Sequence, residues 1–457
     1  MIVMKFGGSS LASADAIRRV AGVVSSQADR RPLIVVSAMG KTTDRLLSIA
    51  QSAAAGDLSG AVTQAGELKS YHLEVAGSVV PSDVRGELTA FVETHFLELT
   101  ELVGGFSVPG DLTPRTIDAI SSYGERLSSF VMSLALRNNG IDAAHVDSRQ
   151  VIITDERFSQ ASPLLDLTNQ RLKEKVPPLL EQHQAVMMGG FIASTAKGVT
   201  STLGRGGSDY TASLVGAALG AEEIQIWTDV DGVMTADPTI QRDARRLRVM
   251  SFAEASELAY FGARVLHPST MLPAVKSNIP IRVLNSHRPD VEGTLVVSEC
   301  PPSSTTVKSI AYKEDITVVD IRSTRMLMAH GYLAKIFEVF DRLETPVDMV
   351  STSEVEVSLT IDRTERLAEI TDELKKFAEV THSGGQAIVC LVGDNLRYTP
   401  GIAGKIFTAI EGINIRMISQ GASRLNVSFV IDEKDLQSAV RALHGTFFAT
   451  VDEGVFA

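Results

Sequence analysis

Two short stretches of this chain place a cation among glycines. Lys5-Phe-Gly-Gly-Ser-Ser10 stands where an apolar run gives way to a helical pattern. Gly7 and Gly8 let the backbone come close to a ligand, and amides there, with the following helix N-terminus, make an anion site. Lys5 adds a full positive charge. Gly204-Arg-Gly-Gly-Ser-Asp209 repeats that logic at a second strand-to-helix junction. The Arg205 guanidinium is a planar fork suited to a carboxylate. Asp209 falls in the first helical turn, where capping is the plainer alternative. An ordinary glycine turn would look like either loop taken alone; together they read as a site for a phosphate and a carboxylate. A third cluster, Trp227-Thr-Asp-Val-Asp-Gly232, follows an apolar run, where parallel sheets bind ligands at strand ends. Asp231-Gly232 would also serve a solvated turn.

Other stretches fail as motifs. Gly40-Lys41-Thr42 resembles the end of a Walker A loop, but the glycine required five residues earlier is Val35. Arg242, Arg245, Arg246 and Arg248 read as a solvated, partly paired face. The 9 histidines show no metal spacing and no HExxH, so no protein metal site is expected.

The elements that position these groups follow from the apolar runs. IVMKF (2–6), PLIVVSA (32–38), QAVMMGGFI (184–192), EIQIWTDV (223–230) and IPIRVLN (279–285) are short, glycine-flanked and interleaved with helical patterns. That alternation predicts a largely parallel sheet covered on both faces. Residues 60–138 read as a mostly helical insertion over one face. The chain of 457 residues is long enough for about three domains. Its net charge of −12 argues against nucleic acid or a membrane surface as partner. No apolar run reaches a membrane span, and the N-terminus lacks a signal peptide's apolar stretch. With only Cys300 and Cys390, a cytoplasmic, reduced setting is expected.

A polar stretch, Ser298 to Thr306, reads as a linker. Beyond it the sequence repeats at an offset of 70: GYLAKIF (331–337) matches GIAGKIF (401–407), and VEVSLTID (355–362) matches LNVSFVID (425–432). A period this long suits two tandem βαββαβ modules rather than a solenoid. The expected domains are 1–296, a linker 297–308, and modules 309–384 and 385–457.

KFGGSS, Ser122-Tyr-Gly-Glu125, Thr202-Leu-Gly-Arg-Gly-Gly-Ser-Asp-Tyr-Thr211, Trp227-Thr-Asp-Val-Asp-Gly232, Phe261-Gly-Ala-Arg-Val-Leu-His-Pro268 and the repeated module together resemble the aspartokinase family, in its monofunctional, lysine-sensitive type. The likeness runs over essentially the whole chain. It implies a three-layer α/β amino-acid kinase domain followed by two ferredoxin-like ACT modules. It implies ATP and Mg²⁺, the metal held mainly by the phosphates, and L-aspartate as the acceptor that becomes 4-phospho-L-aspartate. By motif position, Lys5 and Asp209 are the catalytic pair. Thr43, Glu125, Arg205, Gly206, Gly207 and Ser208 would hold aspartate, with Glu125 on its α-ammonium. Lys5, Gly7, Gly8, Ser9, Thr228, Asp229, Met234, Thr239 and Arg264 would meet the nucleotide. Met234, Thr239 and Arg264 depart from the family's common Tyr, Arg and Lys.

For regulation, the resemblance points to Met326, Ala329, Gly331, Tyr332, Leu333, Pro346, Val347, Asp348, Ser353 and Glu354 as an effector site for L-lysine between paired ACT modules, and so to a homodimer or higher assembly. Ala329 and Pro346 replace common serines. The chemistry is consistent with these roles. A side-chain carboxylate is already ionised at neutral pH, so transfer needs positioning and charge neutralisation rather than a general base. Asp209 would then orient Lys5 and Arg264. Two alternatives remain at this point: a same-fold kinase for glutamate or N-acetylglutamate, and a catalytically weak ACT-based amino-acid sensor. Glu125 speaks against N-acetylglutamate, which has no free ammonium.

Overall fold

The computed structural model describes residues 1–105, 112–262, 268–301, 305–323, 330–450 and 452–457. The chain divides into two compact units, Met1–Val233 with Val265–Cys300, and Met234–Arg264 with Pro301–Ala457.

In the first unit, neighbouring strands run in the order Ala143–Val146, Ala185–Gly189, Leu33–Val36, Val3–Phe6, Ile224–Thr228, Ile281–Asn285, Thr294–Val297. All are parallel but the last, which pairs antiparallel with Ile281–Asn285. The expected parallel sheet is therefore present. Leu33–Val36 and Ala185–Gly189 are buried at every position, as strands covered on both faces must be. Side chains alternate across the sheet. Met4, Phe6, Ile34, Val36 and Met187 join one core with the helices Ala14–Ser25, Leu58–Gly77, Arg85–Gly104 and Tyr123–Ala135. The helical insertion thus covers this face. Val3 and Ile224, in register with each other, belong to the opposite face. There Gly216 of the helix Gly207–Leu219 sits so close to Ile224 that a Cβ would lie 2.7 Å from it.

Lys5 shares its parity with Val3, so it points to the face of helix Gly207–Leu219. After Phe6 the chain does not enter an α-helix directly. Gly8–Leu11 forms a 3₁₀ turn first, and helix Ala14–Ser25 starts at a Ser13 cap whose hydroxyl accepts from Ala16 N at 3.2 Å. A Cβ at Gly8 would meet the carbonyls of Ala38 and Gly40 at 2.8 and 2.9 Å, so only glycine lets this turn lie against the end of the next strand.

The second unit holds a sheet in the order Val350–Thr352, Glu356–Ile361, Val307–Arg322, Glu379–Gly393, Asn426–Asp432, Ile415–Gln420. Both repeats are visible: helices Tyr332–Arg342 and Ile402–Ala409 each follow a left-handed glycine, Gly331 at φ 76° and Gly401 at φ 78°. The modules are interleaved rather than simply consecutive. Thr317–Arg322 pairs with Glu356–Ile361, and Val318–Arg322 with Ser383–Glu379, inside the first module. Val307–Lys313 pairs instead with Gly393–Ile388, whose other edge pairs with Asn426–Asp432. A single strand, irregular near Asp315 at φ 58°, therefore serves both halves. The stretch expected as linker ends inside it.

Residues 234–264, assigned by sequence to the first domain, cluster with this second unit. The reason is polar as well as apolar. Helix Phe252–Tyr260 sends Glu254 to Lys308 at 2.8 Å, with the two side chains 2% and 4% exposed. Removing one partner of so buried a pair costs about 3–5 kcal/mol. Glu257 accepts from Ser423 and Asn426, each at 2.6 Å. No helix among the described residues is long and apolar enough to cross a membrane.

Candidate active site

At the carboxyl edge of the parallel sheet a cavity of about 220 Å³ is lined by Lys5, Thr43, Glu125, Gly206, Gly207, Ser208 and Asp209 among the expected residues, and by Ser37, Phe191 and Gly204 besides. Both helical layers and two strand ends contribute. Lys5 Nζ lies 2.7 Å from Asp209 Oδ1, in the first turn of helix Gly207–Leu219, with both side chains largely covered. Asp209 thus touches the lysine beside the glycine turn.

Glu125 enters from the opposite layer, in the first turn of helix Tyr123–Ala135. It is 3% exposed. Its Oε1 accepts from the amide of Ala38 at 3.1 Å, while Oε2 has no partner. Burial pushes its carboxyl up to about 8, against the pull of the Ala38 amide. A buried carboxylate with a free oxygen on a cavity is a receptor for a cation or a proton.

The glycine loop is shaped by close packing. A Cβ at Gly207 would meet the Phe191 ring at 2.8 Å, and one at Gly190 would meet Ser208 at 2.6 Å. Phe191 itself has φ 62°, a left-handed value rare for an aromatic residue. Its amide donates to Thr211 Oγ1 at 3.0 Å, and its carbonyl accepts from Leu203 N at 2.9 Å, which hold it there. Strained backbone of this kind concentrates at functional sites. Ser37 donates to Ser208 Oγ at 3.0 Å, tying the first glycine region to the second. Arg205 is exposed, and among the described residues its guanidinium pairs with no carboxylate.

Thr228 ends the strand Ile224–Thr228, and its hydroxyl donates to Asp229 Oδ1 at 3.1 Å. Gly7 N donates to Trp227 O at 3.3 Å, so the KFGG turn and the Thr228 strand end are joined. Ser286, unremarked in the sequence, bridges them further: its hydroxyl meets Ser10 Oγ at 2.8 Å and Thr228 O at 3.0 Å. Met234 and Thr239 belong to the second unit, where Ser309 donates to Met234 O at 2.7 Å and Thr239 Oγ1 donates to Asp237 Oδ1 at 2.6 Å. Arg264 lies outside the described residues.

Residues 1–285 match the amino acid kinase family, and residues 389–447 match the ACT domain. Aspartokinase 1, chloroplastic, of Arabidopsis thaliana is 38% identical over 98% of this chain and 80% of its own length. Lysine-sensitive aspartokinase 3 of Escherichia coli is 36% identical over 98% of this chain and 99% of its own length. Two crystal structures of E. coli aspartokinase III superpose with a TM-score of 0.83 at 34% identity, covering 98% of this chain and 100% and 99% of theirs. One is a complex with aspartate and ADP (R-state), the other with lysine and aspartate (T-state). This chain belongs to the amino-acid kinase family, as an aspartokinase. It phosphorylates aspartate, at the entry to aspartate-derived amino-acid synthesis.

In this aspartokinase the described members of the expected effector set differ in exposure. Met326 and Ala329 lie outside the described residues. Gly331 caps its helix, Tyr332 is buried with its ring edge-on to Phe377 at 5.8 Å, and Leu333 is 40% exposed. Val347 is half-buried, and Pro346, Ser353 and Glu354 are exposed. Asp348 is already occupied: Lys313 Nζ sits 2.8 Å from its Oδ1 and 2.8 Å from Asp362 Oδ2. That ammonium also lies 5.8 Å from the centre of the Tyr260 ring.

Proposed function

We propose that the cavity binds aspartate by its two charged poles, with Glu125 on the α-ammonium and Arg205 on a carboxylate, and that Lys5 neutralises charge on the transferring phosphoryl group. The observation that carries this reading is the buried Glu125 carboxyl, one oxygen of it unpartnered, on the lining of the cavity that Lys5 and Asp209 share. A neutral acid cannot attract an ammonium strongly, so aspartate binding expels a proton from Glu125. Asp209 holds Lys5 at the strand end. Gly206 and Ser208, around the start of a helix, offer backbone donors where negative charge gathers, while the Gly207 amide donates to Gly204 O at 3.0 Å. Thr43 supplies a hydroxyl at the cavity wall.

ATP is the donor in this reading, met by Gly7, Gly8, Ser9, Thr228 and Asp229. The crowded Gly8, where a Cβ has no room, fits a backbone cradle for phosphate. Mg²⁺ is held chiefly by the phosphates in this reading. The bound metal supplies neutralisation of phosphate charge. L-Lysine is the effector, its ammonium directed to Asp348. The exposed apolar groups of the second unit, Leu333, Phe337, Val350 and Ile418, favour pairing with a second copy. Isothermal titration of the Glu125→Gln variant tests the site: aspartate binding weakens while ATP binding stays within about twofold, whereas equal loss of both would reject the assignment.

A further inference from the structure

Asp118 belongs to none of the motifs above. It lies on helix Pro114–Ser121 and is 1% exposed. Three donors from two distant segments make four hydrogen bonds to its carboxylate. The amide of Ser159 donates to Oδ1 at 3.0 Å and to Oδ2 at 2.9 Å. The amide of Thr202 donates to Oδ2 at 3.0 Å and the Thr202 hydroxyl to Oδ1 at 2.7 Å. These two segments are the roots of the Arg205 loop. A Cβ at Gly204 would lie 3.1 Å from the Ser159 carbonyl, and Ala161 N donates to Thr202 O at 2.9 Å. Ser159 is held at φ 70°, between flanks with no glycine to ease it. Such a conformation is unfavourable and persists only where its surroundings over-determine it. The Asp118 carboxylate is the group that grips its amide.

Asp118 and Glu125 also share one helical run. Ser122, between the helices Pro114–Ser121 and Tyr123–Ala135, keeps helical angles, φ −62° and ψ −21°. Seven residues are about two turns and about 10.5 Å of rise, on one side of the helix. One element therefore presents Glu125 to the cavity and, two turns earlier, holds the base of the loop that carries Arg205.

We propose that Asp118 is a positioning residue that fixes the separation of Glu125 from Arg205, and thereby the length of acidic amino acid the site accepts, aspartate over the one-methylene-longer glutamate. The inference rests on the reading of Glu125 as the partner of the α-ammonium and of Arg205 as the partner of the side-chain carboxylate, the two groups that one methylene moves apart. A methylene alone is worth about 10–200-fold in discrimination, and a misplacement of about 1 Å can cost about 100-fold, so a slackened loop has a measurable signature.

The test is steady-state kinetics with aspartate and with glutamate as acceptor, at saturating ATP. Asp118→Ala is expected to raise KM for aspartate about 10–100-fold, to lower kcat only a few-fold, and to leave KM for ATP within about twofold. The ratio of kcat/KM for aspartate to that for glutamate falls by about tenfold or more. Asp118→Asn, which still accepts from the two amides and can donate to the Thr202 hydroxyl, restores most of that ratio. Thr202→Val keeps the shape, loses one bond, and moves the ratio less in the same direction; it is read in place of the alanine variant if that fails to fold. An unchanged ratio in Asp118→Ala, or in Thr202→Val where it stands in, overturns the proposal, as does a fall confined to kcat. Arg205→Ala, run in parallel, separates the two layers of argument. Unaltered KM for aspartate there rejects the site reading itself, whereas a raised KM beside an unchanged ratio in Asp118→Ala rejects only the role of Asp118.

Discussion

Glu125 and Asp348 are both acids with covered side chains, one in each compact unit, and they differ in whether a cation stands beside them. Glu125 has a single amide on one oxygen and nothing on the other. Asp348 has the ammonium of Lys313, shared with Asp362. Burial pushes both carboxyls up, but only at Asp348 does a resident cation pull back. An unpartnered buried acid is costly, and the cost is relieved when a cation arrives. In the proposed reading Glu125 waits for a charge that the substrate brings, whereas Asp348 already owns one, so an effector amine would have to displace or outbid it.

The largest test of this contrast removes the cation on the active-site side. Lys5→Ala is expected to lower kcat about 10²–10³-fold, with a much smaller change in KM for aspartate, because its charge matters most as the phosphoryl group moves. Near-normal turnover would break the role. Next in size is the acid. Glu125→Gln keeps the shape and one acceptor but cannot ionise, and losing a charged hydrogen bond is worth about 1.5–3 kcal/mol, roughly 10–150-fold in aspartate affinity.

The pH dependence sharpens the same point with a smaller effect. The free protein holds the Glu125 carboxyl at about 8. An ammonium partner favours the ionised form, so bound aspartate lowers that value. Below about 8 the proton must leave, and apparent affinity rises with pH by up to about tenfold per unit before levelling above it. Calorimetry in buffers of different ionisation enthalpy would register proton release at pH 7. Glu125→Gln should flatten the profile. A wild-type affinity that is level from pH 6 to 8 would mean the carboxylate is already ionised in the free enzyme.

What the sequence made legible was local. The KFGG turn and the GRGGSD loop carry their glycines, their cation and their strand-to-helix setting within ten residues, and the structure gathers Lys5, Gly206, Gly207, Ser208 and Asp209 on one cavity. Glu125 and Thr43 were placed there by resemblance. What stayed hidden depends on contacts between distant segments. Asp118 works through Ser159 and Thr202, 41 and 84 residues away, and its own neighbourhood looks like an ordinary amphipathic helix. Phe191 gives no sign of its left-handed backbone, since nothing in its residue type asks for one. The 70-residue repeat announced two similar modules, yet not that the strand Val307–Arg322 would serve both. A repeat fixes which segments are alike, whereas pairing partners are settled by burial across the finished sheet.

The smallest effect tests the regulatory half of the contrast. Lys313 pairs with Asp348, so if Asp348 receives the effector ammonium, as proposed, Lys313 and lysine compete for one carboxylate. Asp348→Ala removes the shared target and is expected to raise the lysine concentration for half-inhibition about tenfold, consistent with loss of one partly buried charged hydrogen bond. Lys313→Met keeps the chain's length and removes only its charge. It leaves Asp348 short of a cation, as Glu125 is, and the half-inhibiting concentration should fall by about two- to fivefold, because an exchange of partners offsets most of the gain. Each value is taken relative to the variant's own uninhibited rate. Were Lys313→Met to weaken inhibition instead, Lys313 would be shaping the effector site rather than filling it, and the two acids would differ in their surroundings without differing in how they recruit a charge.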